Sequence, residues 1–113
     1  MGTAAAFTPS GKTVTFTAST SAPAPVQVVS TTLGGNQYRV LNAGSVVVFL
    51  GFGQTSSDAA NNAVVINGGS VTAVAMPLLA GTDEILTFTP NVYVTGITAS
   101  GNATVYVTPG DGM

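Results

Sequence analysis

Apolar and polar residues alternate with a two-residue period in three separate parts of the chain. In KTVTFTA (12–18), Val14 and Phe16 alternate with threonines, and the same alternation returns in LTFT (86–89) and TVYVT (104–108). A two-residue period places successive side chains on opposite faces of a β-strand. Each segment therefore predicts a half-buried strand that carries hydroxyl groups on its open face.

Further apolar segments rich in β-branched residues lie between these three. The most apolar is SVVVFLGFG (45–53), which carries no charge, no Pro and no polar side chain after Ser45. Such a segment pairs with its own copies when it lies at a sheet edge, so we predict that VVVFL (46–50) is a central strand. The other predicted strands are VQVVSTT (26–32), QYRVL (37–41), AVVI (63–66), VTAVAM (71–76) and VYVTGIT (92–98).

Glycine-bearing turn sequences separate these segments at regular intervals. They are LGGN (33–36), NAG (42–44), NGG (67–69), AGTD (80–83), ASGN (99–102) and PGDG (109–112). GFGQTS (51–56) is interpreted as a bulge or turn where a strand leaves its sheet, and helical spacing is nearly absent from the chain. The pattern predicts an all-β protein, an antiparallel β-sandwich or jelly roll of about 8–9 short strands.

The chain length of 113 residues predicts one β-sandwich domain over 12–113, preceded by an extended N-terminal arm over 1–11. A Pro-containing connector, SAPAPV (21–26), favours stiff extended geometry within that domain. We expect both segments to reach onto neighbouring subunits. The interface residues predicted on them are Phe7, Pro23 and Pro25.

Charged residues are scarce: there are six, and the formal net charge is −2. A folded chain of this mass exposes about 5,700 Å² of surface, and a soluble surface is typically about 25–35% charged. The polar surface is instead rich in Ser and Thr, which mate with another protein surface at a smaller desolvation cost than charges do. The composition therefore predicts large permanent contacts, including contacts between copies of the chain in a dimer or trimer.

The residue types exclude most enzyme chemistry. The absence of His and Cys excludes Ser–His and Cys–His nucleophiles and thiolate or imidazole metal sites. Asp83 and Glu84 are sequence neighbours that diverge in a strand, which does not suit a paired-carboxylate hydrolase, and GFGQTS lacks the Lys of a phosphate-binding loop. Asp58 and Asp111 leave a calcium site open as an alternative. We predict no catalysis and no cofactor.

Composition and segment length also bear on partner classes. The two basic residues are far apart in sequence, so the clustered charge of a nucleic-acid footprint is missing. The longest apolar run spans 46–53, which is short of the roughly 20 residues of a membrane-spanning helix. We therefore predict no nucleic-acid, membrane or small-molecule partner.

The tyrosines and the single arginine are the remaining candidate interface residues. Tyr38, Tyr93 and Tyr106 lie on three different predicted strands, which favours packing in a core or interface over an aromatic platform for a saccharide. Arg39 lies in an otherwise apolar strand, and we expect it to pair with an acid of its own chain or of a neighbouring subunit. All four are predicted interface residues.

Two blocks, NQYRVLNAGSVVVFLGFG (36–53) and ILTFTPNVYVTGITASGNATVYVTPGDG (85–112), resemble small virion proteins of tailed bacteriophages. The nearest analogy is with capsid decoration, or cement, proteins that have a jelly-roll fold and staple neighbouring capsomers. These motifs consist of turns and strands, so the resemblance transfers no functional residue.

The resemblance implies a structural virion protein on the capsid surface, assembled in the host cytoplasm, that stabilises the phage head by bridging subunits of the major capsid protein. Two alternatives stay open. One is a carbohydrate-binding or adhesive β-sandwich module of a tail or fibre, and the other is a head–tail connector or tail component.

Overall fold

The computed structural model describes residues 8–9, 11–29, 37–66, 75–88 and 91–111. Within these ranges the chain forms nine strands and one short helix, so the all-β prediction is confirmed. The strands are β1 (Thr8–Pro9), β2 (Val14–Ala18), β3 (Val26–Gln27), β4 (Gln37–Asn42), β5 (Val48–Gly53), β6 (Met76–Leu78), β7 (Asp83–Thr87), β8 (Tyr93–Ile97) and β9 (Ala103–Asp111), and the helix α1 (Ser56–Asn62) lies between β5 and β6.

The strands form two antiparallel sheets packed as a sandwich. In the first sheet, β2 and β1 share one edge of β9, and β4 and then β7 follow on the other side. The second sheet has the order β3-β8-β5-β6. A sheet of order 2-9-4-7 that faces a sheet of order 3-8-5-6 is a jelly roll, in which two Greek keys interlock. The jelly-roll prediction is therefore confirmed.

Alternating side chains from the two inner faces fill the space between the sheets. In β9, for example, Ala103, Val105 and Val107 are buried, whereas Tyr106 points to the other face of the sheet. Burial of each Val, Leu or Phe side chain among them contributes about 1.5–3 kcal/mol. The core consists of Phe16, Ala18, Val28, Tyr38, Val40, Val48, Leu50, Phe52, Leu78, Val92, Val94, Ala103, Val105 and Val107.

The most apolar segment of the sequence contains β5, which is a central strand as predicted, although it begins two residues later and ends three residues later than the predicted 46–50. It pairs with β8 on one side and with β6 on the other. Val48, Leu50 and Phe52 point into the core. The strand runs on through Gly53, so the prediction of a bulge or turn at the start of GFGQTS is wrong for residues 51–53.

Helix α1 covers part of the outer face of β5, and two glycines make this contact possible. A Cβ atom at Gly51 would overlap the carbonyl oxygen of Ala59 and lie 2.5 Å from the backbone nitrogen of Ala63. A Cβ atom at Gly53 would lie 2.5 Å from the Cβ of Asp58. The helix therefore packs directly on the strand backbone, at a distance that only glycine permits.

Local hydrogen bonds fix where α1 begins and how it attaches. The Thr55 hydroxyl accepts a hydrogen bond from the backbone N–H of Asp58 at 3.2 Å, which is a side-chain N-cap. The Asn62 side chain donates to the carbonyl of Phe52 at 2.8 Å and ties the last turn to β5. Sequence analysis did not predict this helix.

Several other predicted boundaries differ from the structure. Residues 63–66 follow α1 and form no strand, so that strand prediction is wrong. The predicted turn at 109–112 is wrong over 109–111, because these residues pair with β4 and β1. Of the predicted strand over 26–32, residues 26–29 are described, and among these only β3 is a strand. The predicted turns at 33–36 and 67–69 and most of the predicted strand at 71–76 lie outside the described residues.

Asn42 is a fully buried polar residue at the point where the chain crosses from the first sheet to the second. Its side-chain amide donates to the carbonyls of Val46, at 2.9 Å, and of Leu78, at 3.1 Å. Its side-chain oxygen accepts from the backbone N–H of Gly44 at 2.9 Å. One side chain thus closes the turn after β4 and links it to β6 of the opposite sheet.

We expect Gly51→Ala to lower the free energy of unfolding by about 3 kcal/mol, because the new methyl group overlaps the backbone of α1 and the helix must move away. Gly81→Ala is the comparison, since no atom lies within 4 Å of a Cβ there and the only cost is its φ of 71°, about 1–2 kcal/mol. Urea denaturation measures both. Equal losses for the two variants would contradict direct packing of α1 on β5.

We expect Asn42→Ala to lower the free energy of unfolding by about 3 kcal/mol, because it leaves two carbonyls and one N–H without their partner in a buried site. The control is Asn102→Ala, at an exposed residue of the turn before β9. Thermal denaturation compares the two variants. A loss at Asn42 no larger than that at Asn102 would show that its hydrogen bonds do not hold the crossing between sheets.

Candidate interaction surfaces

The outer face of the first sheet carries a dense set of threonine hydroxyls, and we refer to it as the threonine face. Strand register aligns Thr15, Tyr106, Leu41 and Asp83 in one row across β2, β9, β4 and β7. Its members are Thr13, Thr15, Thr17, Gln37, Arg39, Leu41, Asp83, Ile85, Thr87, Thr104, Tyr106 and Thr108. The face is hydroxyl-rich because these positions alternate with the core positions of the same strands.

The two charges of the threonine face neutralise each other. The Nε atom of Arg39 donates to Oδ2 of Asp83 at 2.9 Å, and the two side chains are 49% and 44% exposed. The expected ion pair of Arg39 is therefore made within the chain. Pairs this exposed contribute at most about 1 kcal/mol to stability. Because nearly half of each side chain is exposed, both groups remain accessible to water and to a partner.

Exposed apolar side chains also lie on the threonine face. Ile85 is 49% exposed and Tyr106 is 40% exposed, and both are among the exposed large hydrophobic residues of the described ranges. The hydroxyls of Thr13 and Thr108 share a hydrogen bond of 2.7 Å at one side of the face. The surface combines apolar contact area with hydroxyls and has no net charge.

The structure places the three tyrosines in three different environments. Tyr38 is completely buried in the core, so its prediction as an interface residue is wrong: the strand register of β4 turns it inward with Val40. Its hydroxyl oxygen accepts from the N–H of Val92 at 3.4 Å, and burial raises its pKa. Tyr93 is partly buried in the second sheet, opposite Gln27. The three rings share no surface, which removes the aromatic platform for a saccharide.

The segments predicted to reach neighbouring subunits contact the domain itself where they are described. The Thr95 hydroxyl, which is buried, donates to the carbonyl of Pro23 at 2.7 Å, so the connector lies against the second sheet, and Pro25 is half-buried. In the predicted arm, Thr8 and Pro9 pair with the end of β9. Phe7 lies outside the described residues, and its interface role stays a prediction.

An apolar depression lies at the end of the sandwich where β5, β7 and β9 begin, and we refer to it as the end groove. It is lined chiefly by Ser45, Val46, Phe49, Leu79, Ala80 and Ala99. Leu79 is 64% exposed at this site. Phe49 lies on the same outer face of β5 as Gly51, beyond the part that α1 covers. The lining residues carry no charge.

The carboxylates do not gather into a site within the described residues. Asp83 and Glu84 pair with Leu41 and Val40, so they point to opposite faces of β7. Asp58 lies in the first turn of α1, and the side chain of Asp111 lies outside the described residues. No group of three His, Cys, Asp or Glu residues that could hold a metal occurs in the described ranges. Nor is any helix there long and apolar enough to cross a membrane.

Comparisons with known proteins identify no relative of the chain. No protein-family model, curated protein or solved structure matches the chain.

The buried tyrosine predicts a loss of stability at alkaline pH. Burial raises the pKa of Tyr38 above its ordinary value of 10.0, so the folded state holds this proton more tightly than the unfolded state. The contribution of the protonated Tyr38 hydroxyl to the free energy of unfolding is fully present below pH 10. It is lost as the pH rises through the pKa that Tyr38 has in the folded state. We expect Tyr38→Phe to remove the part of the alkaline loss of stability that ionisation of Tyr38 causes.

Urea denaturation of wild type and Tyr38→Phe from neutral pH to above pH 10 measures this effect. Tyr106→Phe is the matched control, because Tyr106 is exposed on the threonine face and its variant should keep the wild-type decline. Identical pH profiles for Tyr38→Phe and wild type would contradict the burial of the Tyr38 hydroxyl.

Proposed function

We propose that the protein is a structural virion component that decorates a phage capsid, and that the threonine face lies against the shell. The observation that supports this proposal is the chemistry of that face, which presents hydroxyls and two large apolar side chains with no net charge. A surface of this kind suits permanent contact with another protein and offers no chemistry for turnover of a substrate.

Desolvation favours this face over a charged one as a binding surface. A hydroxyl that exchanges water for a protein partner costs far less than a charge that loses its hydration. The two charged residues of the face, Arg39 and Asp83, already form an ion pair with each other. The strands beneath are hydrogen-bonded to their neighbours, so little conformational entropy remains to be lost on binding.

The threonine face is too small for stable attachment to a particle through this one contact. Four paired strands spaced about 4.8 Å apart give a face with a projected area of only a few hundred Å². A standard interface buries about 800 Å² on each partner. A decoration protein that uses this face therefore gains its hold on a particle from additional contacts or from repeated copies.

The assignment to a phage particle rests on the resemblance of residues 36–53 and 85–112 to small virion proteins. The fold is compatible with it, since jelly rolls occur in viral capsid proteins and also in lectins. The scattered positions of the three tyrosines do not favour saccharide binding. A head–tail connector would use the same kind of surface, and its place on the particle would differ.

Tyr106→Glu tests the proposed contact, because it buries an unpaired carboxylate at the centre of the threonine face if the shell covers it. Co-sedimentation with shells assembled from the phage's major capsid protein should show at least a tenfold weaker affinity than that of wild type. Val29→Glu is the matched control, since Val29 is 48% exposed outside the threonine face. Unchanged shell binding by Tyr106→Glu, or absence of shell binding by wild type, would contradict the proposal.

Cryo-electron microscopy of the intact particle tests the location. We expect density for this jelly roll at many positions over the shell. Density confined to the tail or to one vertex would favour the connector or tail role, and absence of the chain from the particle would reject a virion role.

A further inference from the structure

The end groove and β1 lie at opposite ends of the molecule. We propose that residues 1–7 of one copy dock in the end groove of a second copy, with the ring of Phe7 as the anchor. This inference deepens the proposed function, because it rests on the premise that the chain assembles with neighbours and names a second copy as one of them.

Strand β9 sets the distance between the two sites. The groove residue Ala99 lies shortly before the first residue of β9, Ala103, whereas Thr8 pairs with the last residue, Asp111. The eight residue steps from Ala103 to Asp111 span about 26 Å at about 3.3 Å per step. Phe7 adjoins Thr8, and consecutive Cα atoms are about 3.8 Å apart. The distance along β9 is too large for the ring of Phe7 to fill the groove of its own copy, so a groove that it fills belongs to a neighbouring copy.

The chemistry of the segment matches that of the groove. Residues 1–7, MGTAAAF, contain no charged side chain and one large apolar side chain, Phe7. The groove offers the faces of Phe49 and Leu79, and small residues such as Ala80 and Ala99 leave room beside them. Leu79 is the most exposed large hydrophobic residue of the described ranges, so its coverage yields the largest gain from apolar burial.

The contact joins two different surfaces, which limits how copies assemble. Because the segment and the groove lie at opposite ends, two antiparallel copies bring each segment beside the other's groove. Copies related by rotation close into a ring through the same contact. In both arrangements the threonine face stays free, and the contact supplies area that this face lacks.

Sedimentation velocity over a concentration series tests the proposal with the full chain. We expect wild type to associate, and Phe7→Ser and Leu79→Ser each to weaken association at least tenfold. Ile85→Ser is the matched control, because Ile85 has similar exposure but lies on the threonine face, and it should associate like wild type. Circular dichroism of each variant shows that the fold is retained.

Sedimentation of an equimolar mixture of Phe7→Ser and Leu79→Ser is the decisive experiment. The first variant keeps an intact groove and the second keeps an intact segment, so the mixture should regain one contact and form a 1:1 complex. A mixture that stays monomeric, a monomeric wild type, or loss of association only in Ile85→Ser would each overturn the proposal.

Shell binding separates this proposal from the proposed function. Monomeric Leu79→Ser should still bind capsid shells through the threonine face, with weaker apparent affinity because neighbouring copies no longer hold each other. If wild type binds shells but does not self-associate, the docking proposal fails and the decoration role stands. If wild type self-associates through the groove but does not bind shells, the decoration role fails and the docking proposal stands.

Discussion

The direct contact between helix α1 and the backbone of β5 is the constraint on which the rest of the structure depends. β5 is the most apolar strand of the chain, and it needs cover on both faces. Its inner face is buried by the core, and Gly51 and Gly53 let the helix lie against its outer face without intervening side chains. The helix covers only the end of the strand near Gly53. Phe49, at the other end, is left half-buried at the end groove.

This constraint makes the two sheets of the jelly roll unequal. The second sheet is covered in part from within the chain, by α1 and by the connector that Thr95 holds through the carbonyl of Pro23. The threonine face of the first sheet has no such cover among the described residues. Its threonine hydroxyls can exchange water for a protein partner at a smaller free-energy cost than charged groups can. The difference between the sheets is the physical basis for the proposed role.

The sequence predicted the class of fold and several strands because the two-residue period is strong there. The predicted strands at 37–41 and 92–98 agree with β4 and β8 to within one residue at each end. The helix was missed because it is short and polar, and because its N-cap at Thr55 follows two glycines that suggested a turn. Glycine in a strand signals close approach of another backbone only once the partner is known.

The surface residues were harder to predict than the strands. Tyr38 and Arg39 are neighbours in one strand, yet the first is in the core and the second is on the threonine face, since register decides which side chain points inward. Asn42 read as an ordinary turn residue, because its bond to the carbonyl of Leu78 joins positions distant in sequence. Pro109 lies within β9 because it falls between the stretches that pair with β1 and β2, where no neighbour needs its missing N–H.

The proposed function requires that neighbours cover the threonine face in the assembled state. Hydroxyl-radical footprinting of Tyr106, in the isolated protein and in the intact particle, tests this coverage. We expect Tyr106 to be oxidised in the isolated protein and strongly protected in the particle, while the exposed Val29 reacts in both. Equal oxidation of Tyr106 in the two states would contradict it.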